Sequence, residues 1–277
     1  MMTRNPRRIA IPAQNKPKLG QNFLASPMAC RSIVDALGDL AGRTVVEIGP
    51  GKGAITELLA ARAGHLIAIE LDRELAPRLR QRFASQSHVE ILEADVLRVD
   101  LSALAPEGEK LLVVGNLPYY ITSEILLHLV AHEGAIERAV LMVQREVADR
   151  VAAEPGSRDY GLLTVTVQLH GRMEKLLTLP PEAFSPPPEV YSTVLRWNFA
   201  PRYAELGVDP APFEGFLRHC FAQKRKTLAN NLRAAGWQPP EIAAALHAAG
   251  IAPAARAEAL SATELATVWK HLPQTPG

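Results

Sequence analysis

The stretch Val45-Val46-Glu47-Ile48-Gly49-Pro50-Gly51-Lys52-Gly53-Ala54-Ile55-Thr56 decides the fold of this chain. A β-branched apolar run is followed by three alternating glycines and then by apolar residues at helical spacing. This order predicts a strand, a tight turn and a helix. Glycines let the backbone approach a ligand closely, and the N–H groups that open a helix attract polar or anionic groups. The stretch therefore predicts a ligand-binding turn.

The glycine turn, residues 49–53, also matches the dinucleotide-binding fingerprint G-x-G-x-x-G/A, and Glu70 follows at about the spacing of an acid that binds ribose hydroxyls. Glu47 argues against a dinucleotide, because a carboxylate two residues before Gly49 would repel a pyrophosphate. A cationic ligand is favoured instead. S-adenosylmethionine fits both halves of the site, since its ribose diol would bind Glu70 and its methionine end carries an ammonium group and a sulfonium. A glycine turn that only packs a helix on a sheet is the alternative.

Strand and helix patterns alternate over the first half of the chain. The strand candidates are residues 44–48, 65–69, 89–92, 111–115 and 139–143. Alternating strands and helices with short connections predict an α/β fold, in which a doubly wound and mostly parallel sheet has helices on both faces.

The first four strand candidates each end in a polar residue, and these residues are about one strand–helix unit apart: Glu47, Glu70, Asp95 and Asn116. Open parallel sheets bind their ligands at the carboxyl edge of the strands. We therefore expect the four side chains to meet at one edge. There Glu70 would bind the ribose hydroxyls of the cofactor, and Asp95 would bind its adenine amino group.

The fourth polar residue lies in the stretch Gly115-Asn116-Leu117-Pro118-Tyr119-Tyr120, where we expect the chemistry. The chemistry that we consider is methyl transfer to the amino nitrogen of adenine. This nitrogen is a poor nucleophile, because its lone pair is delocalised into the ring. The side-chain oxygen of Asn116 and the backbone carbonyl of Leu117 could draw the amino hydrogens into a tetrahedral arrangement. Pro118 would stiffen the turn, and Tyr119 could stack on a base that has left its neighbours. An asparagine–proline turn beside core tyrosines is the alternative.

The composition is that of an ordinary globular chain. Its 277 residues are 48% hydrophobic and 21% charged, with a net charge of +1, which predicts one large or two modest domains. Cys30 and Cys220 stand alone, so we expect neither a metal site nor a disulfide framework. No apolar run reaches the roughly 18 residues that cross a bilayer. No secretory signal follows the first arginines, and a cytoplasmic protein is expected, with an organellar transit sequence as the alternative.

Positive charge is concentrated in two segments without any acid, residues 1–18 and 215–240. Two basic segments on a nearly neutral chain suggest a contact with a polyanion. Solvated tails and helix faces would give the same pattern. Prolines after residue 200 indicate a linker, and the remainder predicts short helices around residues 213–221, 226–235, 241–249 and 262–272.

Asn116-Leu117-Pro118-Tyr119 resembles the N-L-P-Y motif of the small-subunit ribosomal RNA adenine dimethyltransferases, and the resemblance extends from about Lys18 to Asn231. The stretch Phe184-Ser185-Pro186-Pro187-Pro188-Glu189-Val190-Tyr191-Ser192 fits the family's F-x-P-x-P-x-V-x-S. Other matching stretches are residues 19–24, 47–53, 144–150, 155–157, 160–161 and 221–228. So many motifs in the same order are highly specific together.

The resemblance implies S-adenosylmethionine-dependent dimethylation of two adjacent adenines in a hairpin loop near the 3′ end of small-subunit (16S) ribosomal RNA, late in ribosome assembly. It implies a class I methyltransferase domain over residues 19–200, between a basic arm at residues 1–18 and a small all-helical RNA-binding domain at residues 201–277. It also makes residues 162–169 a helix, although their many β-branched side chains locally favour a strand. The partner is then the small ribosomal subunit or its precursor, and nothing in the sequence demands more than a monomer.

The site residues follow partly from the resemblance and partly from the chemistry above. By resemblance, the catalytic loop is residues 116–119, and the cofactor contacts are Asn22, Leu24, Gly49, Glu70, Asp95 and Asn116. The glycine-turn argument adds Glu47 and Gly51. Phe184 is expected to form the second wall of a base slot opposite Tyr119, because a proline-rich loop holds its backbone stiffly. Its alternative is a core position.

The RNA contacts are expected in the second basic segment. They are Lys224, Arg225, Lys226 and Arg233, which would face the RNA backbone. The chain departs from the family at Glu189 and Tyr191, where a lysine and an aspartate are frequent. A lysine missing beside the RNA path predicts a weaker phosphate contact.

Three other functions fit parts of the sequence. A DNA adenine methyltransferase would use a related N/D-P-P-Y/F loop, but position 117 is leucine. A non-catalytic assembly or transcription factor on the same fold would not need Glu47, Glu70 and Asn116. A nicotinamide oxidoreductase fits only the glycine fingerprint.

Overall fold

The computed structural model describes residues 22–273, in which strands and helices alternate along most of the chain. The strands are β1 (Phe23–Leu24), β2 (Thr44–Ile48), β3 (His65–Glu70), β4 (Val89–Glu93), β5 (Leu111–Asn116), β6 (Ile136–Gln144), β7 (Gly171–Leu179), β8 (Phe184–Ser185) and β9 (Ser192–Phe199). The α-helices are α1 (Pro27–Ala36), α2 (Ala54–Ala60), α3 (Leu75–Arg82), α4 (Thr122–Ala131), α5 (Arg145–Val151), α6 (Leu162–Leu169), α7 (Tyr203–Leu206), α8 (Pro210–Cys220), α9 (Leu228–Ala234), α10 (Pro239–Ala248) and α11 (Ala262–His271). The predicted basic arm, residues 1–18, lies outside the described residues.

Seven strands form one sheet in the order β4-β3-β2-β5-β6-β9-β7. The pairs among β2, β3, β4, β5 and β6 are parallel. β9 is antiparallel to both of its neighbours, so it alone reverses direction in this sheet. The strand order changes direction at β2 and β5, where an open α/β sheet binds its ligands. The predicted doubly wound, mostly parallel sheet is confirmed.

Helices cover both faces of the sheet because successive residues of a strand point to opposite sides. Val45 of β2 packs in a core with α1, α2 and α3, whereas the next residue, Val46, packs in a second core with α4 and α5. The same alternation occurs along β5, where Leu112 and Val113 belong to the first and second core. A central strand with apolar residues on both sides is typical of a parallel sheet buried on both faces.

The segment from Leu162 to Leu169 is helix α6, as the family resemblance implied. Its local preference for a strand is overridden by tertiary contacts. Thr164 is buried, its hydroxyl donates a 2.8 Å hydrogen bond to the Arg150 carbonyl, and it accepts one of 3.2 Å from the Gly161 N–H at the start of the helix. Val165 is buried among the C-terminal helices and Val167 in the second core.

Strands β7 and β9 were not among the strand candidates. β9 is largely buried, but β7 lies at the edge of the sheet and shifts its register between Lys175 and Leu177. An irregularity of this kind interrupts the alternation of apolar and polar residues on which the prediction of a strand depends.

The C-terminal helices pack around Phe216, whose ring contacts Trp237 and Trp269. This core also contains Tyr160 and Leu169, which precede the predicted boundary at residue 200. The helical part is therefore joined to the sheet through shared apolar packing. The predicted all-helical character of the C-terminal part is confirmed.

Within residues 22–273, no helix is long and apolar enough to cross a membrane. Over the same residues, no group of three or more His, Cys, Asp and Glu side chains could hold a metal ion. Cys30 and Cys220 are both buried free thiols.

Candidate active site

An open cavity, whose empty space of about 850 Å³ includes open solvent, lies at the carboxyl edge of the sheet. Its lining includes nine residues of the predicted site: Asn22, Gly49, Gly51, Glu70, Asp95, Asn116, Leu117, Pro118 and Tyr119. The four polar strand ends were expected to meet at this edge, and three of them line this one cavity.

A second cavity, of about 690 Å³, adjoins the first on the side of Leu24 and Glu47. The two cavities share Phe23, Gly49, Gly51 and Asn116 in their walls. We call the two cavities together the cleft. All eight residues that we expected to contact a cofactor line the cleft.

The glycine turn allows Phe23 to lie directly against the backbone. Gly49 and Gly51 have φ angles of 68° and 58°, a region that other residues rarely adopt. A Cβ atom on Gly51 would lie 2.8 Å from the Phe23 ring. β1 is held there by antiparallel pairing with β8. Phe23, in the segment before α1, therefore lies over the glycine turn.

Glu70 is buried at the end of β3, and both of its carboxylate oxygens accept backbone hydrogen bonds. Oε2 accepts from the Gly51 N–H at 2.9 Å, and Oε1 accepts from the Asp72 N–H at 2.9 Å. A carboxylate can accept about four hydrogen bonds, so Glu70 retains capacity for the hydroxyls of a ligand. It also fixes the glycine turn.

Glu47 is fully buried within β2, and its Oε2 has no hydrogen-bond partner among the described residues. Burial raises the pKa of Glu47 to about 8; the Thr56 hydroxyl acts in the opposite direction and the Glu70 carboxylate raises the pKa further. A buried carboxylate with an unpaired oxygen is costly unless a cation or a proton compensates it. The position therefore favours a positively charged group in the second cavity.

Asp95 follows β4 and caps a short 3₁₀ helix, Val96–Arg98, by accepting a 3.0 Å hydrogen bond from the Leu97 N–H. This bond fixes the carboxylate at the wall of the first cavity. Two apolar side chains that the sequence analysis did not select, Leu71 and Val96, line the same cavity. Leu71 is 47% exposed. Leu71 directly follows Glu70 and Val96 directly follows Asp95 in the sequence. An apolar residue next to each predicted acid is a signal that could have identified them.

Asn116 ends β5, and its Nδ2 donates a 2.8 Å hydrogen bond to the backbone carbonyl of Asn22. Only the NH₂ group of an amide can donate to a carbonyl, so this bond fixes the orientation of the side chain. The amide oxygen is left as an acceptor without a partner among the described residues. Thr122 stabilises the following loop, because its hydroxyl donates to the Pro118 carbonyl at 3.0 Å.

Tyr119 begins a 3₁₀ helix, Tyr119–Ile121, and its hydroxyl lies 2.7 Å from Oγ of Ser192. Burial raises the pKa of Tyr119, and the bond to Ser192 only partly opposes this. Burial thus favours the neutral hydroxyl, and the contact with Ser192, a fully buried residue at the start of β9, fixes the position of the ring. Ser192 occurs in the proline-rich motif, but the sequence alone does not show that it contacts Tyr119.

Phe184 does not line the cleft, which contradicts its predicted place opposite Tyr119. It is 4% exposed, pairs with Leu24 between β8 and β1, and packs in the first core with Leu179. The pairing with β1 turns its ring toward the core, and only its neighbour Ser185 reaches the cleft. The alternative, a core position, is the one that the structure has.

Three of the predicted RNA contacts, Lys224, Arg225 and Lys226, lie in an exposed turn between α8 and α9. Lys224 Nζ donates a 3.1 Å hydrogen bond to the Arg158 carbonyl. Arg233 is exposed on α9, where it donates to the Asn230 side chain at 3.0 Å. The structure thus leaves all four positive charges accessible to a polyanion.

A family model described as "Ribosomal RNA adenine dimethylase" matches residues 13–274. The chain belongs to this family. A relative from Acidobacterium capsulatum named "Ribosomal RNA small subunit methyltransferase A" is 74% identical over 95% of this chain and 93% of the relative.

Two solved structures share the fold with this family member. The crystal structure of the 23S rRNA methyltransferase ErmE is 26% identical, covers 91% of this chain and 99% of its own, and has a TM-score of 0.69. A dimethyladenosine transferase from Plasmodium falciparum is 22% identical, covers 90% of this chain and 96% of its own, and has a TM-score of 0.73. Both alignments extend beyond the sheet into the C-terminal helices.

Proposed function

We propose that this member of the ribosomal RNA adenine dimethylase family transfers methyl groups from S-adenosylmethionine to two adjacent adenines of small-subunit (16S) ribosomal RNA. The adenines lie in its 3′-terminal hairpin loop, and the modification contributes to biogenesis of the small subunit. The observation that carries the proposal is the orientation of Asn116, whose amide oxygen is left as an acceptor in the cleft. The name of the 74% identical relative supports the small subunit as the source of the RNA.

The residues of the cleft fit S-adenosylmethionine at both ends. The unpaired Oε2 of Glu47 suits the ammonium group, and Glu70 has acceptor capacity for the ribose hydroxyls. Asp95 would accept from the adenine amino group, while Leu71 and Val96 supply apolar surface for the ring. Asn22, Leu24, Gly49 and Gly51 complete the walls. When bound, the cofactor supplies a methyl group on a sulfonium.

The catalytic loop prepares the nucleophile. Asn116 Oδ1 and the Leu117 carbonyl accept the two amino hydrogens of the target adenine, which concentrates the lone pair on nitrogen. Pro118 limits the flexibility of the turn, and the Tyr119 ring stacks on the base. No general base with a shifted pKa is required, because the amino group becomes acidic once it is methylated. Positioning then supplies most of the acceleration.

The C-terminal part, residues 201–277, is proposed to bind the RNA. Its exposed turn of Lys224, Arg225 and Lys226, together with Arg233, would neutralise phosphates. Phosphate contacts orient the RNA without reading its sequence. The choice of adenine would then depend on the catalytic domain, proposed as residues 19–200. We further propose that the chain acts as a cytoplasmic monomer on the small subunit or its precursor.

The proposal is tested by mass spectrometry of RNA after incubation with the full chain and isotopically labelled cofactor. We expect up to four labelled methyl groups on two adjacent adenines of small-subunit RNA, and none on large-subunit RNA or duplex DNA. Asn116→Ala should lower the methylation rate roughly 10²- to 10³-fold, the usual effect of removing one acceptor or donor from a preorganised site. Its affinity for the cofactor should stay close to that of the wild type.

Asn116→Asp is the matched control, because it keeps an acceptor oxygen but cannot donate to the Asn22 carbonyl. We expect it to retain more activity than Asn116→Ala. Full activity of Asn116→Ala would contradict the role of this residue. If the wild-type chain binds ribosomal subunits but transfers no label, it is a non-catalytic assembly factor and the proposed function is wrong.

A further inference from the structure

The loop between β8 and β9, residues 186–191, is attached to the cleft at both ends. On one side, Ser185 lines the cavity that contains Glu47. On the other side, Ser192 Oγ contacts the Tyr119 hydroxyl at 2.7 Å. Three consecutive prolines, residues 186–188, restrict the backbone between these two points. Side chains of the loop therefore hold a defined position relative to the base-binding residue Tyr119.

Tyr191 lies at the end of this loop and is 45% exposed. Its ring centroid is 5.1 Å from the guanidinium carbon of Arg145, the first residue of α5. Its backbone carbonyl accepts a 2.9 Å hydrogen bond from the Arg145 N–H. The backbone and the ring of Tyr191 thus both contact Arg145, and the ring is not buried. A tyrosine that served only packing would gain more stability by burying its ring.

Arg145 is exposed as well, and its guanidinium has no carboxylate partner among residues 22–273. A guanidinium that lies over an aromatic ring can still donate its N–H groups to a phosphate. Together the two side chains form an accessible aromatic face with a positive charge beside it. This is the combination with which proteins bind unpaired nucleotides.

We propose that Tyr191 and Arg145 form a second nucleotide-binding site, which takes an unpaired nucleotide adjacent to the adenine being methylated. Its base stacks on the free face of Tyr191, and its phosphate contacts the Arg145 guanidinium. We call this pair the Tyr191–Arg145 platform. The inference rests on the proposed function, because it needs an RNA strand whose target base is bound at Tyr119.

The location of the platform determines which nucleotide it can take. Tyr191 is the residue immediately before Ser192, and consecutive Cα atoms are only about 3.8 Å apart. Since Ser192 contacts the Tyr119 hydroxyl, the platform begins one residue away from the wall of the target site. Tyr120, the residue after Tyr119, is 58% exposed and lines the first cavity. A neighbouring nucleotide, not a distant helix, therefore fits the site.

The test uses the full chain and a hairpin RNA that carries two adjacent adenines. The fluorescent base 2-aminopurine is placed at the nucleotide adjacent to the adenine that is methylated. For Tyr191→Ala we expect the KM for RNA to rise roughly 5- to 150-fold, the range expected for one base–aromatic stack. The kcat and the KM for S-adenosylmethionine should change little. In the wild type, the 2-aminopurine fluorescence should be quenched on binding, and Tyr191→Ala should abolish this quenching.

Tyr191→Phe is the matched control, since it keeps the ring and should behave as the wild type. Tyr191→Asp removes the stack and pairs Arg145 with a carboxylate, so it should bind RNA no better than Tyr191→Ala. Leu127→Ala, which truncates another exposed side chain at 46% exposure, should leave all constants unchanged. If Tyr191→Ala does not fold, Tyr191→Leu replaces it, because leucine keeps apolar bulk but offers no aromatic face.

Three outcomes would overturn the platform while leaving the proposed function intact. One is an unchanged KM for RNA in Tyr191→Ala, and another is equal quenching in the wild type and this variant. The third is a fall in kcat alone, which would mean that residue 191 only positions Tyr119 through Ser192. A wild-type chain that methylates neither this hairpin nor small ribosomal subunits would instead refute the proposed function.

Discussion

The two glutamates that line the cleft, Glu47 and Glu70, are held in opposite ways. Both oxygens of Glu70 accept backbone N–H groups, from Gly51 and from Asp72. Glu47 is equally buried, but its Oε2 has no hydrogen-bond partner within residues 22–273, and its pKa is raised to about 8. The Glu70 end of the cleft is therefore complete before any ligand binds. The Glu47 carboxyl holds a proton near neutral pH when the cleft is empty, and we expect the ammonium group of the cofactor to compensate its charge on binding.

Replacing Glu70 should have the largest effect on this arrangement. Glu70→Ala removes the acceptor for the ribose hydroxyls and leaves the N–H groups of Gly51 and Asp72 without theirs. Hydrogen bonds to a charged group contribute about 1.5–3 kcal/mol each. We therefore expect the Kd for S-adenosylmethionine, measured by calorimetry, to rise roughly 100-fold or more.

Glu70→Gln is the control for this experiment, because its side-chain oxygen can still accept one of the two backbone N–H groups. Its Kd should lie between those of the wild type and Glu70→Ala. A Kd for Glu70→Ala within about twofold of the wild type would show that the Glu70 end is not the more important half of the cleft.

Glu47→Gln should have a smaller effect, which weakens cofactor binding but raises the thermal stability of the free protein. The substitution removes the negative charge that would face the ammonium group, so we expect the Kd for the cofactor to rise about tenfold at pH 7.5. It also removes a buried carboxylate with an unpaired oxygen, so the protein without cofactor should unfold at a higher temperature at alkaline pH. Thermal unfolding and calorimetry on the same samples separate the two effects. A fall in both stability and affinity would show that Glu47 already has a partner in the free protein.

The pH dependence of the wild type should give the smallest signal. The pKa of Glu47 is raised from 4.5 to about 8 in the folded chain, so the folded state holds the proton more tightly than the unfolded state. Its contribution to stability is therefore complete below about pH 4.5 and is lost as the pH rises through about 8. Over the upper part of this window the cofactor affinity should increase, since more of Glu47 is ionised.

Glu47→Gln provides the reference for the pH series, because it has no titrating group at this position. The difference in Tm between the variant and the wild type, both without cofactor, should widen from about pH 5 to about pH 8 and then remain constant. Parallel curves for the two proteins would contradict the raised pKa.

The sequence was sufficient to predict strands β2 to β6 of the sheet and most of the cleft, because both depend on local order along the chain. Strands that alternate with helices place their carboxyl ends at one edge, so Glu70, Asp95 and Asn116 could be assigned to one site before the structure was available. The orientation of Asn116 could not be predicted. It depends on the Asn22 carbonyl, which is distant in sequence and reaches the cleft only because β1 folds over the glycine turn.

The features that local sequence did not predict correctly all depend on contacts between segments that are distant in the chain. Phe184 was assigned to the base slot from the stiffness of its loop, but the pairing of β8 with β1 turns its ring into the core. The contact between Tyr119 and Ser192 joins two motifs that the sequence shows separately. The helix α6 was predicted only through the family resemblance, since its local preference is for a strand and its helical state depends on burial of Thr164.

Strands β1 and β8 form a two-stranded ribbon that is separate from the main sheet. Each strand has only two residues, and Phe23 and Leu24 pair with Ser185 and Phe184. Ribbons this short have little stability of their own, and segments with few backbone bonds open before the rest of a protein unfolds. The segment over the glycine turn can therefore detach while β2 and β5 stay in register. Such an opening would expose the glycine turn on this side of the cleft, so we expect a small molecule to exchange there while the sheet stays folded.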